Sequence, residues 1–196
     1  MIKELGITSV TLNFIQLPND NERVKVANFI ASTLKSCASR VIEYMAEKEG
    51  KKGDAVLIEM LMRQHGQDAI MLSHRILDEM MIKEFSVHHD RFEHGYKDFS
   101  KMYMKEIFLK GVFVCAMECV FFVNVVKNIM PTDLMKVVNI KPFDIWRLMS
   151  NFLKFDNHMP RLLMNYFKDL ESKIVSEIAW QNGSPVVEVI KTLIKN

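Results

Sequence analysis

The sequence predicts an all-α chain, and three observations carry that expectation. Gly (7) and Pro (5) are scarce while Met (15) and Phe (13) are abundant; the Gly and Pro share is about half of what is usual. Few turn-formers and many apolar side chains without a β-branch favour long helices with short connections. No alternating apolar–polar run is bounded by a hairpin dipeptide, so strand pairs are not expected. The breakers instead separate stretches whose apolar residues recur at helical spacing, as helix boundaries do.

Taken in order, Pro18-Asn19-Asp20 opens a helix over Glu22 to Glu49, with Val26, Phe29, Ile30, Leu34, Val41, Ile42 and Met45 on its apolar side. Gly50 to Gly53 (GKKG) reads as a loop. Ala55 to Met62 reads as a short helix or the start of a longer one, and Gly66 to Glu84 as an amphipathic helix through Ala69, Ile70, Leu72, Ile76, Leu77, Met80 and Met81. His88 to Gly95 is a polar break, and Asp98 to Val126 is the densest region. Its second half, GVFVCAMECVFFVNVV (111–126), is apolar on every side, so such a helix must be enclosed by others; fully helical, it is about 24 Å long. Asn128 to Thr132 is a turn and Asp133 to Val138 a short helix. Phe143 to Phe155, led by Pro142, and Pro160 to Trp180 are the next two. Asn182-Gly183 ends the last of these, and Ser184-Pro185 resembles an N-cap with proline in the first turn.

Charge and composition exclude several function classes. The chain has 26 basic and 24 acidic residues, a net charge of +2, without the basic excess that phosphate contacts demand of a nucleic-acid binder. An apolar fraction of 49% with 26% charged suits a folded core rather than disorder. The length, 196 residues, gives one domain or two small ones and burial of roughly 70% of the unfolded surface. Cys37, Cys115 and Cys119 are too few for a disulfide scaffold and match a reducing compartment. Met1 to Gly6 has no apolar signal region. Glu118 and Asn124 interrupt the most apolar stretch, which is shorter than the about twenty residues a membrane span needs. A soluble intracellular chain is expected, with no membrane and no direct nucleic-acid partner.

Catalytic and metal-binding patterns are weak. His88, His89 and His94 lie close in sequence, but no H-x-x-x-H or H-E-x-x-H spacing and no nearby cysteine accompany them; they read as a polar loop. Cys115 and Cys119 share a helix face among Val, Phe and Met, the surroundings of buried structural thiols rather than nucleophiles. Glu118 stands alone in that apolar helix and is expected to pair with a helix terminus or a basic side chain. GKKG lacks the spacing and the following Ser or Thr of a phosphate loop. The methionines fall at core spacing. No enzyme, cofactor or metal is expected. A further pattern is basic: Arg147 and Lys154 are seven apart on one helix and Arg161 and Lys168 on the next. Antiparallel packing of those helices could gather them into a rim that steers an acidic peptide, with Asp144, Asp156, Asp169 and Glu171 partly neutralising it.

Three segments carry a family resemblance: IFLKGVFVCAMECVFF (107–122), VNIKPFDIWRLMSNFLKF (138–155) and MPRLLMNYFKDLESKIVSEIAWQNGSP (159–185). Together they resemble the A domain of retinoblastoma-family pocket proteins. Phe108, Cys115, Ala116, Glu118, Asn139, Phe143, Asp144, Arg161, Glu171, Glu177, Ala179, Trp180 and Ser184 fit its pattern, which covers residues 66 to 190 well and the first 60 loosely, with Thr8-Ser9-Val10 for Thr-Pro-Val. The resemblance implies a cyclin-like bundle of five helices around a buried central helix, with extra N-terminal helices: an extension over 1–65 packed on a box over 66–196. It also implies a non-enzymatic, nuclear repressor domain, half of the pocket that binds the acidic activation segment of cell-cycle transcription factors of the E-two-factor type. The other half is a B domain, supplied in cis or in trans, which in the family also takes LxCxE peptides; chromatin co-repressors are indirect partners. No B domain follows Asn196 in this chain, so the expectation is half a pocket.

Carried over by position, the resemblance places the partner-binding residues at Phe108, Arg147, Leu153, Lys154, Met164, Asn165, Lys168 and Glu171. Arg147 and Lys154 keep the basic character suited to carboxylates, and Leu153 and Met164 the apolar character of an anchor. Asn165 stands where the family has lysine, Lys168 where it has an acid, and Glu93 near a position that is basic in the family. A cyclin-like adaptor that binds a protein kinase would share the fold but needs a docking Lys–Glu pair, which has no evident place here.

Overall fold

The computed structural model describes residues 20–49, 55–87, 100–127, 129–155, 159–178 and 192. These contain the helices α1 (Asp20–Glu49), α2 (Ala55–Val87), α3 (Ser100–Tyr103), α4 (Glu106–Val123), α5 (Pro131–Val138), α6 (Pro142–Phe155) and α7 (Arg161–Ile178). No strand occurs among the described residues. The chain is all-α and cyclin-like, with α4 as its central helix.

Residues Leu109 to Phe121 of α4 are all buried, Lys110 and Glu118 included. Around them stand α1, α2, α3, α5 and α6, and Tyr166 of α7 reaches the Phe122 ring at 4.8 Å between centroids. Leu109, Phe113 and Met117 are among the largest fully enclosed side chains. Each such side chain withdrawn from water contributes about 1.5–3 kcal/mol, and for a helix with no polar stripe this gain exists only when neighbours cover every side. The expected buried rod over 111–126 is therefore present, although its last turn emerges: Phe122 and Val123 are exposed.

Two boundaries are left open by the sequence. The segments 55–62 and 66–84 form one helix, α2, so position 65/66 falls inside it. Gly66 does not break the helix, because its missing side chain is what lets α1 approach: a Cβ there would meet Ile42 Cδ1 at 3.3 Å and Ala38 Cβ at 3.4 Å. The dense region over 98–126 contains two helices, α3 and α4. Lys105 is extended (φ −87, ψ 105) and separates α3 from α4, while the wholly buried Tyr103 anchors the short α3.

Short corners orient the remaining helices. Proline opens α5 and α6, where a missing N–H costs nothing. Asn139 ends α5 in the left-handed region at φ 58, which asparagine tolerates, and its carbonyl accepts a hydrogen bond from Lys110 Nζ at 3.5 Å. Lys48 at the end of α1 pairs with Asp133 of α5 at 3.3 Å. Ser150 donates to Glu171 Oε1 at 3.2 Å and the Phe152 and Phe167 rings stand 5.3 Å apart, so α6 and α7 run antiparallel. The histidines at 88, 89 and 94, Trp180, the Asn182–Pro185 stop and Thr8-Ser9-Val10 lie outside the described residues.

Helices α4 and α6 meet at Gly111, where a Cβ would lie 2.7 Å from Leu148 Cδ2 and 3.5 Å from Ile140 Cδ1. Gly111→Val should therefore lower stability by about 1–3 kcal/mol through overpacking, and Leu148→Ala in the same chain should restore part of that loss. Urea unfolding of the two variants beside the parent chain measures both effects.

Candidate functional site

Helix α4 begins at Glu106 beside the outer side of α6, and a groove of about 610 Å3 opens between them. Its lining joins Phe108 to Arg147, two residues far apart in sequence, and adds Lys105, Ile107, Leu148 and Asn151. On α6 the positions 144, 147, 148 and 151 form one stripe at helical spacing, so the groove wall follows from the register of that helix. Glu106 is held by Lys110 at 2.9 Å, and Asp144 sits in the first turn of α6, where the helix dipole favours a carboxylate. Ile107 is 58% exposed. The apolar seat of Ile107, Phe108 and Leu148 is flanked by Arg147 and Lys105 and also by Glu106 and Asp144, so it suits a bulky apolar side chain, with a carboxylate favoured only beside the two cations.

The other expected partner-binding residues distribute unevenly. Glu171 accepts the Ser150 hydroxyl and so ties α7 to α6. Leu153 and Met164 are half-buried against the core. Asn165 and Lys168 are exposed on α7. Lys154 lies in the last turn of α6, and its side chain lies outside the described residues. The antiparallel pairing sets Ser150 against Glu171 and Phe152 against Phe167, which continues to place Arg147 near the C-terminal half of α7 and Arg161 at the opposite end. Arg147 is thereby set apart from Arg161 along the helix pair. Lys105, Ile107, Leu148 and Asn151 were not anticipated; the stripe through Arg147 on α6 was the available signal for the last two.

Glu118 departs from expectation in its partner. Its carboxylate is 3% exposed and accepts the Tyr166 hydroxyl at 2.5 Å, rather than a basic side chain or a helix terminus. Burial pushes its pKa up to about 7, and the tyrosine hydrogen bond opposes the rise. Tyr166 itself packs edge-on against Phe167 at 5.7 Å, so the bond pins α7 to the central helix from within. Cys115 and Cys119 are both buried, and burial raises the Cys115 thiol well above its ordinary value. No group of three or more metal-ligating side chains occurs among the described residues, and no described helix is long and apolar enough to cross a membrane.

An all-α, cyclin-like box whose solvent-facing groove combines apolar residues with two basic and two acidic ones is the class of domain the structure defines. Comparison with known proteins defines the family. The retinoblastoma-associated protein A domain matches residues 11–190, and the chain belongs to that family. It is 30% identical over 98 residues to retinoblastoma-like protein A of Dictyostelium discoideum, covering 50% of this chain and 7% of that protein. It is 25% identical over 122 residues to retinoblastoma-like protein 1 of Mus musculus, covering 62% and 11%. It is 22% identical over 133 residues to the retinoblastoma-related protein of Vitis vinifera, covering 67% and 13%. The matched segment thus spans only about a tenth of the length of these relatives.

Because the Glu118 carboxyl is protonated more readily folded than unfolded, its contribution to stability is fully present below the unfolded value of 4.5 and is lost as pH rises through about 7. The full loss is on the order of 3 kcal/mol. Glu118→Gln keeps a neutral partner for Tyr166. It should leave stability near the parent's at pH 4.5 and raise it at pH 8, as read by chemical denaturation at the two pH values.

Proposed function

We propose that this chain is the A half of the pocket of a retinoblastoma-like transcriptional repressor, a non-enzymatic domain acting in the nucleus. With a cyclin-like B domain, present in cis or in trans, it holds the acidic activation segment of a cell-cycle transcription factor, and chromatin co-repressors are recruited through the assembly. On this reading the extension over 1–65 packs on the box over 66–196, and α2 bridges them. Phe108, Arg147, Leu153, Lys154, Met164, Asn165, Lys168 and Glu171 form the A-side contact surface.

The observation that carries the reading is the family match over 11–190 together with a groove that brings Phe108 and Arg147 onto one surface. A carboxylate from the partner segment pairs with Arg147 through charge-assisted hydrogen bonds, and an apolar side chain of the segment covers Phe108 and Leu148. Such bonds contribute about 1.5–3 kcal/mol, and the steering charge is screened by salt.

The test is titration of an acidic activation peptide against this chain combined with a pocket B domain. Binding should weaken as salt increases, and Arg147→Glu should lower affinity about tenfold or more. Affinity that ignores both salt and Arg147→Glu would remove the basic contact from the mechanism.

A further inference from the structure

A second groove, of about 500 Å3, runs between α1 and α2 on the seam that Gly66 closes. Lys35 and Arg63 line it, with Ile42, Ile70 and Met71 between them and His74 at one end; no carboxylate lines it. From Arg63 to His74 along α2 the groove is about 16 Å long, enough for roughly five extended residues.

The two ends differ in charge. Arg63 is engaged by Glu59 at 2.6 Å. Lys35 lies at the other end, because Ala38 and Ile42 face Gly66 and the antiparallel course of α1 carries Lys35 toward residues 70–74. Among the described residues no ion pair holds it. His74 shares that end. Its side chain is buried at 3% exposure, and neither ring nitrogen has a hydrogen-bond partner among the described residues. Native proteins rarely leave such a group unpaired. Burial lowers its pKa, although Asp78 opposes the shift, so the ring is neutral and offers one donor and one acceptor. Met71, 67% exposed, leaves a large flexible apolar side chain in water beside it, of the kind that adapts to a docked partner.

We propose that the α1–α2 groove is a second docking site, distinct from the Phe108–Arg147 groove, for a partner polypeptide segment that carries an acidic residue beside bulky apolar ones. The carboxylate meets Lys35, and the apolar side chains lie over Ile42, Ile70 and Met71. One unpaired lysine over an apolar floor is too little charge for a polyphosphate backbone, whose affinity grows with the number of cations it meets. It is well suited to one or two carboxylates on an apolar peptide.

The test uses the full chain with labelled isoleucine and methionine methyl groups and, as probe, an acetylated ten-residue peptide of Glu, Asp and Leu. The methyl signals of Ile42, Ile70 and Met71 should shift on titration. Lys35→Glu should weaken binding at least tenfold and confer binding of the matching peptide with Lys in place of its acids, whereas Arg147→Glu should leave these shifts unchanged. Lys35 is exposed, so its replacement leaves the fold in place. Three results would overturn the proposal: no shift at these methyls with millimolar peptide, shifts that persist unchanged in Lys35→Glu, or the same shifts on concentrating the chain alone, which would make a second copy the occupant.

Discussion

Between Leu109 and Phe121 the central helix has no side for water, and the placement of its neighbours follows from that constraint. A helix with a polar stripe could sit at a surface; this one needs α1, α2, α3, α5 and α6 at once. The two charged groups in the run are accommodated locally. Lys110 reaches Glu106 and the Asn139 carbonyl, and Glu118 is met by Tyr166. The glycine at 111 brings α6 in close, and that approach creates the wall of the Phe108–Arg147 groove. The groove is thus a by-product of how the core is sealed.

The parts of the fold legible in the sequence were those fixed by local chemistry. The apolar run at 111–126, with only Glu118 and Asn124 interrupting it, announced an enclosed helix, and Pro142 marked the opening of α6. What could not be read depended on groups distant in sequence. Gly66 looks like a helix breaker alone, and only the Ile42 and Ala38 side chains explain why the helix continues through it. Lys105 carries no obvious signal of the break before α4, where the backbone turns extended just after the buried Tyr103.

The candidate site divides in the same way. Family likeness nominates Phe108 and Arg147, and the groove between α4 and α6 is lined by both. Spacing within a helix says nothing about the offset between two helices. That offset is set by Ser150 with Glu171 and Phe152 with Phe167, and it separates Arg147 from Arg161. Glu118 was recognisable as an anomaly, but a tyrosine forty-eight positions away is not a partner that helical periodicity can nominate.

All three cysteines of the chain lie inside the bundle, and burial lifts the Cys37 thiol to about 11. Thiolate is the form that reacts with oxidants and alkylating reagents, so the native sulfurs are chemically quiet at neutral pH. A single cysteine engineered onto the outer surface would then be the one that takes a fluorophore or spin label, and no native cysteine need be replaced first.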